Sequence, residues 1–154
     1  MPRLPSVPDL IIRPIAADDR ARWTPLWVGY NTFYDRTIAA NVSDQTWKRL
    51  TETEEIEGML ALTPTGETMG LVHFFYHPST SLLGGACYLA DLFVVPEARG
   101  LRVGRRLIAA VTQAAKAKGA SILYWQTEEF NGTARRLYER VAKRAPFIRY
   151  NIEL

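Results

Sequence analysis

An apolar stretch from Ala86 to Val95, broken only by Asp91 and stopped by Pro96, runs into a segment of a different period. From Leu101 to Lys118, the residues Gly104, Leu107, Ile108, Val111 and Ala115 trace one helical stripe. Lys116 and Lys118 suit a helix C-terminus, and Gly119 suits the position just past it. A strand that feeds straight into an amphipathic helix commits the chain to a sheet with helices packed on it.

The flanking segments fit that commitment. Leu10, Ile11 and Ile12 mark a short strand over 9–13, ended by Pro14. Asp18 or Asp19 caps a helix that Pro25 kinks or restarts, with Thr24 as a second cap. Trp27, Tyr30 and Tyr34 share one face of it. Ser43 caps a second helix to Leu50. Strands over 57–63 and 69–76 flank Pro64-Thr65-Gly66-Glu67, a turn sequence, and predict an antiparallel hairpin. Ser79–Gly85 is a loop, and Ile122–Gln126 is a strand. Asn131 caps a helix with the stripe Ala134, Leu137, Tyr138 and Val141. Phe147–Leu154 is a last strand. The expected class is α/β, more closely an α+β mixed sheet, as a single domain over 1–154 with a loose lead at 1–8.

The 154 residues suit one domain with a sizeable core. Hydrophobic residues at 47% and charged residues at 23% exclude disordered and fibrous classes. No apolar run approaches the ~20 residues of a membrane span. The first ten residues hold three prolines and no apolar signal core. One cysteine, Cys87, excludes an internal disulfide, and two histidines are a thin supply for a metal enzyme. These features predict a cytoplasmic protein without a metal. The net charge of +3 is uneven: residues 1–77 carry −3 and residues 78–154 carry +6. The C-terminal half can therefore meet a polyanion while the N-terminal half tolerates a cation.

The turn between the 86–95 strand and the 101–118 helix carries the clearest chemistry. Amides in the first turn of a helix lack intrahelical partners and point at the positive end of the helix dipole. Gly100 and Gly104 leave the backbone bare, and Arg99, Arg102, Arg105 and Arg106 surround it with charge. That is a cradle for a pyrophosphate. A solvated basic turn with packing glycines has the same pattern. The Gly-Lys-Ser/Thr of a Walker loop and the GxGxxG of a dinucleotide fold are both absent.

The run Arg99-Gly-Leu-Arg-Val-Gly104, after Leu-Phe-Val-Val-Pro, resembles the acetyl-CoA loop of the GNAT superfamily of N-acetyltransferases. Arg99 and Gly104 match the ends of that loop, and Arg102 stands at its middle glycine. Ile12-Arg-Pro-Ile with Asp18 is similar to the family's first strand and helix start. Asn131-Gly-Thr-Ala-Arg-Arg-Leu-Tyr138 is similar to its late helix. The Tyr-Leu-Ala-Asp-Leu-Phe-Val strand at 88–94 resembles that of the diamine and small-amine branch. The resemblance covers nearly the whole chain. It implies a central, mostly antiparallel sheet flanked by helices and acetyl-CoA as co-substrate. It further implies direct acetyl transfer to a primary amine in a ternary complex.

The resemblance also implies site roles. Tyr138 would protonate the departing CoA thiolate; its place on an apolar stripe equally suits a core residue. The branch's usual glutamate is replaced by Ala90. Asp91 remains as the base, on the opposite strand face unless a bulge re-aims it, or as a structural carboxylate. Asp35 and Glu128 are weaker choices. Leu92, Phe93 and Val94 would hold the pantetheine arm, chiefly through the backbone of Leu92 and Val94. One of those amides would serve as an oxyanion donor. Arg99, Gly100, Leu101, Arg102, Val103, Gly104 and Arg105 would bind the pyrophosphate. Asn131 and Ala134 would flank the arm. Trp27, Tyr30 and Tyr34, with Phe33, would roof a cationic acceptor or simply pack a core helix. His73 is expected to be structural, and Cys87 a small buried residue.

Two other functions fit parts of the sequence. Ala90 and Arg102 are compatible with a CoA-binding module without catalysis. The pI near 9.2 and the clustered arginines suggest nucleic acid, but no binding motif accompanies them. The expected partners are acetyl-CoA and a small-molecule or protein amine, with neither nucleic acid nor membrane. The C-terminal strand is free to pair across a two-fold axis in a homodimer.

Overall fold

The computed structural model describes residues 9–154, so the expected lead at 1–8 lies outside the described residues. The elements are β1 (Ile11–Pro14), α1 (Arg20–Phe33), α2 (Ala40–Glu52), β2 (Glu57–Leu62), β3 (Thr68–His77), β4 (Ala86–Val94), α3 (Val103–Lys118), β5 (Ile122–Tyr124) and α4 (Gly132–Val141). The strands lie in the order β1-β2-β3-β4-β5. All neighbours are antiparallel except β4 and β5, which are parallel. This is the expected mixed sheet. The β2–β3 turn closes as its sequence dictates. Thr63 Oγ1 accepts from the Glu67 N–H at 3.0 Å, and Gly66 takes φ +90°.

Each sheet face has its own core. On one face Val103, Leu107, Ile108, Val111 and Ala115 of α3 pack on Val72, Phe74, Cys87 and Leu89. On the other, Trp23, Leu26 and Tyr30 of α1 and Leu50 of α2 cover Leu60, Leu62, Leu71 and Phe93. Each such large side chain contributes roughly 1.5–3 kcal/mol on burial. Gly119 ends α3 in the left-handed conformation, φ +86°. The Ala120 N–H reaches back to the Ala115 carbonyl at 3.0 Å, which satisfies a carbonyl of the last turn.

Four expectations are corrected. Helix α1 does not restart at Thr24. It runs through Pro25, and the Thr24 hydroxyl donates back to the Arg20 carbonyl at 2.9 Å. Pro25 forfeits one helical bond, but Trp23, Leu26 and Tyr30 anchor the helix on both sides of it. Helix α2 starts at Ala40, and Ser43 lies in its first turn, accepting from Trp27 Nε1 at 3.1 Å. Asn131 sits at the N-cap of α4 without a capping bond, its amide donating to Thr127 Oγ1 at 3.3 Å. Phe147–Leu154 forms no strand. β5 is only three residues long and offers too short an edge to hold it. Phe147, Ile148, Tyr150, Ile152 and Leu154 are left exposed.

Asp19 stands at the N-cap of α1, but its carboxylate serves the loop before the helix. It accepts from Arg13 Nη1 at 2.6 Å, from Arg13 Nη2 at 2.9 Å and from the Ala16 N–H at 2.8 Å. The Arg13 bonds are the main cause that holds its pKa down at about 2, against an ordinary 3.8. A depressed carboxylate pKa stabilises the fold above the unfolded value, and that stability is lost as pH falls from about 4 to about 2. Its worth is on the order of 2 kcal/mol. Asp19→Asn should lower the unfolding free energy in denaturant titrations at pH 7 by at least that order. The gap to the wild type should narrow towards pH 2. A gap independent of pH would show that the charge of Asp19 is not what matters.

Candidate active site

β4 and β5 stay together only briefly. Ala86, Cys87 and Tyr88 pair with Ile122, Leu123 and Tyr124, after which β4 continues alone to Val94. The β5 side of residues 89–94 therefore has no strand partner. The Val95 N–H donates to the Met69 carbonyl at 3.0 Å. By the alternation of an antiparallel ladder, Leu92 and Val94 aim their N–H and C=O away from β3, into the gap. The Val94 carbonyl accepts from Arg99 Nε at 3.3 Å.

The gap leads to the start of α3. The first intrahelical bond runs from the Arg106 N–H to the Arg102 carbonyl at 3.1 Å. The amides of Val103, Gly104 and Arg105 precede it and point out of the first turn. Gly100 has φ +80° and Arg102 has φ +64°. Arg102 thus adopts the conformation that a glycine takes without strain, at a cost of roughly 1–2 kcal/mol, while its side chain is exposed. A Cβ on Gly104 would meet Leu137 Cδ2 at 3.5 Å and Val94 Cγ2 at 3.7 Å. Its bare Cα therefore faces the space between β4 and α4. Arg99 sets its guanidinium 5.6 Å from the Phe33 ring centre, and Arg105 is exposed. Arg106 donates through Nη2 to the Leu10 carbonyl at 3.0 Å.

Asp91 is re-aimed by a bulge. His73 pairs with Asp91 and Phe74 with Leu89, so Ala90 is an extra residue in β4. Cys87 and Leu89 face α3, whereas Asp91 turns to the α1 face. There His73 Nδ1 lies 2.9 Å from Asp91 Oδ2, and His73 Nε2 lies 2.9 Å from Trp23 Nε1. Burial, then the charge and hydrogen bonding of Asp91, push the Tyr30 hydroxyl far above its ordinary pKa. Asp91 keeps 21% of its side chain exposed.

The aromatic residues of α1 form a ladder. Trp23 and Trp27 stack at 5.6 Å, Trp27 and Tyr30 at 5.8 Å, and Tyr30 meets Tyr34 edge-on at 5.1 Å. Trp23 and Tyr30 belong to the core, while Trp27 and Tyr34 are half-buried. The Arg36 guanidinium lies 5.3 Å from the Tyr34 ring centre. Tyr138 approaches from α4, edge-on to Trp125 at 5.4 Å. Burial first, and Tyr34 second, raise its pKa to about 12. The phenol is therefore protonated at neutral pH, as a proton donor must be.

The backbone of Leu92 and Val94 lines the gap and the 99–105 turn stands at its end, with Val103 packed in the core; Asp91 lies by His73 and Tyr30, and Tyr138 near Tyr34. Phe93 does not line the gap. Its backbone faces Leu71 of β3, and its side chain packs beneath α1, where a Cβ on Gly29 would come within 2.8 Å of it. Asn131 and Ala134 lie on α4, half-buried. Asp35 follows Tyr34, the C-cap of α1, with φ +57°, and both Asp35 and Glu128 are exposed. Cys87 is buried, and burial pushes its thiol up to about 11. The sequence reading missed His73 as the partner of Asp91, and Trp23 as the partner of His73. Two residues distant in sequence meet through a register shift, and only a bulge at Ala90 could have signalled it.

Residues 18–142 match the Acetyltransferase (GNAT) family. The chain belongs to that family. It is 31% identical over 143 residues to the D-amino-acid N-acetyltransferase HPA3 of Saccharomyces cerevisiae, covering 92% of this chain and 89% of that one. A crystal structure of a probable acetyltransferase superposes with a TM-score of 0.84 at 25% identity, covering 94% of this chain and 97% of that one. A second, AAC(6')-Iy with a CoA-S-monomethyl-acetylneamine bisubstrate analogue, has a TM-score of 0.77 at 17% identity, covering 93% and 99%, and shares the fold. This GNAT protein is thus an N-acetyltransferase, of a family whose co-substrate is acetyl-CoA.

The bare Cα of Gly104 generates a test that separates folding from binding. Its neighbours stand at ordinary contact distances, so Gly104→Glu should fold. Its carboxylate would then occupy the mouth of the gap. Acetyl-CoA should raise the melting temperature of the wild type by mass action and leave that of Gly104→Glu unchanged. A full ligand shift in the variant would place the cradle elsewhere.

Proposed function

We propose that this GNAT enzyme transfers the acetyl group of acetyl-CoA directly to a primary amine of a small acceptor, within a ternary complex. The observation that supports this reading is the open edge of β4 beyond its three-residue pairing with β5, which runs to the start of α3. Acetyl-CoA, when bound, supplies the thioester. The outward amides of Leu92 and Val94 hold the pantetheine arm, and one of them polarises the thioester carbonyl. The amides at the start of α3, with Arg99, Arg102 and Arg105, take the pyrophosphate. Asn131 and Ala134 flank the arm. Asp91 takes the ammonium proton, and the Tyr138 hydroxyl protonates the thiolate. Trp27 and Tyr34 face the acceptor cation, with Tyr30 behind them beside Asp91.

D-amino acids head the acceptor list, because the yeast relative is named for them; polyamines and protein lysines follow. The reading extends to one domain over 1–154 in the cytoplasm, supported by the single buried cysteine. It also extends to a homodimer. The exposed C-terminal segment can pair antiparallel with its copy about Asn151. That register sets Ile148 opposite Leu154, Tyr150 opposite Ile152 and Arg149 opposite Glu153. The apolar residues then share one face and the ion pairs the other.

Free-thiol release with acetyl-CoA and D-alanine, D-lysine, D-phenylalanine, spermidine and an N-blocked lysine tests the reaction. In single turnover, Tyr138→Phe should slow transfer roughly 10²-fold or more, the usual worth of a general acid. Acceptor KM should change little, since the lost interaction belongs to the transition state. An unchanged rate would return Tyr138 to the core.

For the dimer, light scattering should give twice the chain mass for the wild type and a monomer for Glu153→Arg. Adding Arg149→Glu should restore the dimer. A monomeric wild type, or a Glu153→Arg variant that still dimerises, sinks the pairing.

A further inference from the structure

Trp23 and His73 take part in none of the binding or proton-transfer steps above, yet they are among the most buried polar groups of the chain. Trp23 is 0% exposed and His73 1%. An indole N–H donates and has nothing with which to accept. Trp23 Nε1 lies 2.9 Å from His73 Nε2, so Nε2 is the acceptor of the ring and Nδ1 carries its proton. Nδ1 donates to Asp91 Oδ2 at 2.9 Å.

The seat around the imidazole is tight. Gly58 faces His73 across β2 and β3, and a Cβ there would come within 3.3 Å of His73 Cδ2 and 2.5 Å of Ile15 Cδ1. The Trp27 ring packs against the imidazole at 5.4 Å. Asp91 also lies close enough to Tyr30 for its charge, after burial, to push the phenol's pKa up.

We propose that Trp23 and His73 are positioning residues for the base. The indole fixes one imidazole tautomer, and the Nδ1–H of that tautomer fixes the Asp91 carboxylate for the incoming amine. This rests on Asp91 being the base. Neither residue touches substrate or moves a proton; their effect is to remove the rotational freedom of a short carboxylate re-aimed by a bulge.

Long-range ¹H–¹⁵N spectra of the wild type should show His73 with Nδ1 protonated and Nε2 bare. Trp23→Phe should mix the tautomers. A protonated Nε2 in the wild type, or an unmixed tautomer in Trp23→Phe, overturns the proposal whatever the acceptor. With acetyl-CoA and the fastest acceptor of the panel, His73→Leu should lower kcat by about tenfold or more, part of the roughly 10²–10⁴-fold that a general base contributes. Acceptor KM should hold. His73→Asn keeps a donor near the Nδ1 position and should recover most of the rate. Equal losses in His73→Leu and His73→Asn, or none in a folded His73→Leu, remove the positioning role. Asp91→Asn separates the two readings. If it is inactive, Asp91 stands as the base even where the positioning role has failed; if it stays active, the base assignment falls and the positioning role with it.

Discussion

Ala90 is one residue more than β4 needs to match β3, and that surplus decides where the only acid of the strand points. With regular alternation, Asp91 would follow Cys87 and Leu89 into the core beneath α3. There it would sit among Val72, Phe74, Leu107 and Val111, and an unpaired buried carboxylate costs several kcal/mol. The bulge inverts the parity of everything after it. Asp91 and Phe93 turn to α1 and α2, while Leu92 and Val94 turn to α3. Asp91 then meets His73 and Tyr30. The same strand serves the apolar core at one end and an ionised group at the other.

The second constraint is the shortness of β5. A partner strand running the full length of β4 would consume the outward amides of Leu92 and Val94 in a ladder. Three residues of pairing hold the sheet together and then release β4. The freed edge runs to the start of α3, so two sets of unspent N–H groups lie along one path. Arg102 belongs to this economy. Its left-handed backbone is strained for an arginine, but it completes the turn that a glycine completes elsewhere in the family and adds a cation beside the helix start.

Most of the fold was legible because it follows from local period and turn chemistry. The α3 stripe and Gly119, the Thr63–Glu67 turn and the β4 run each name their own structure. What escaped was decided at a distance. Pro25 looked like a break, yet its helix is held by Trp23 and Tyr30 against a sheet that the local sequence does not mention. Phe147–Leu154 alternates like a strand, yet among the described residues it has no edge to join. In the site, the glycines and arginines of the loop could be read from spacing, and Tyr138 from the resemblance of 131–138 to the family's late helix. The Trp23–His73 pair could not, since only the bulge brings Asp91 to His73.

The two groups proposed to move protons lie on opposite sides of the sheet. Asp91 comes from the α1 face, beside Tyr30, while Tyr138 packs with Trp125 and Leu137 against the α3 core. The aromatic ladder links them, from Tyr30 through Tyr34 to the neighbourhood of Tyr138. In the proposed reaction the ammonium proton leaves by one face and the thiolate is protonated from the other. Neither residue then has to serve as both acid and base within a turnover. The environments fit that division. Asp91 is partly exposed and lies beside His73 Nδ1 and Tyr30. Tyr138 sits where burial favours its neutral form. Placing one group on each face of a splayed strand keeps a carboxylate and a phenol close to one thioester without either setting the other's protonation state.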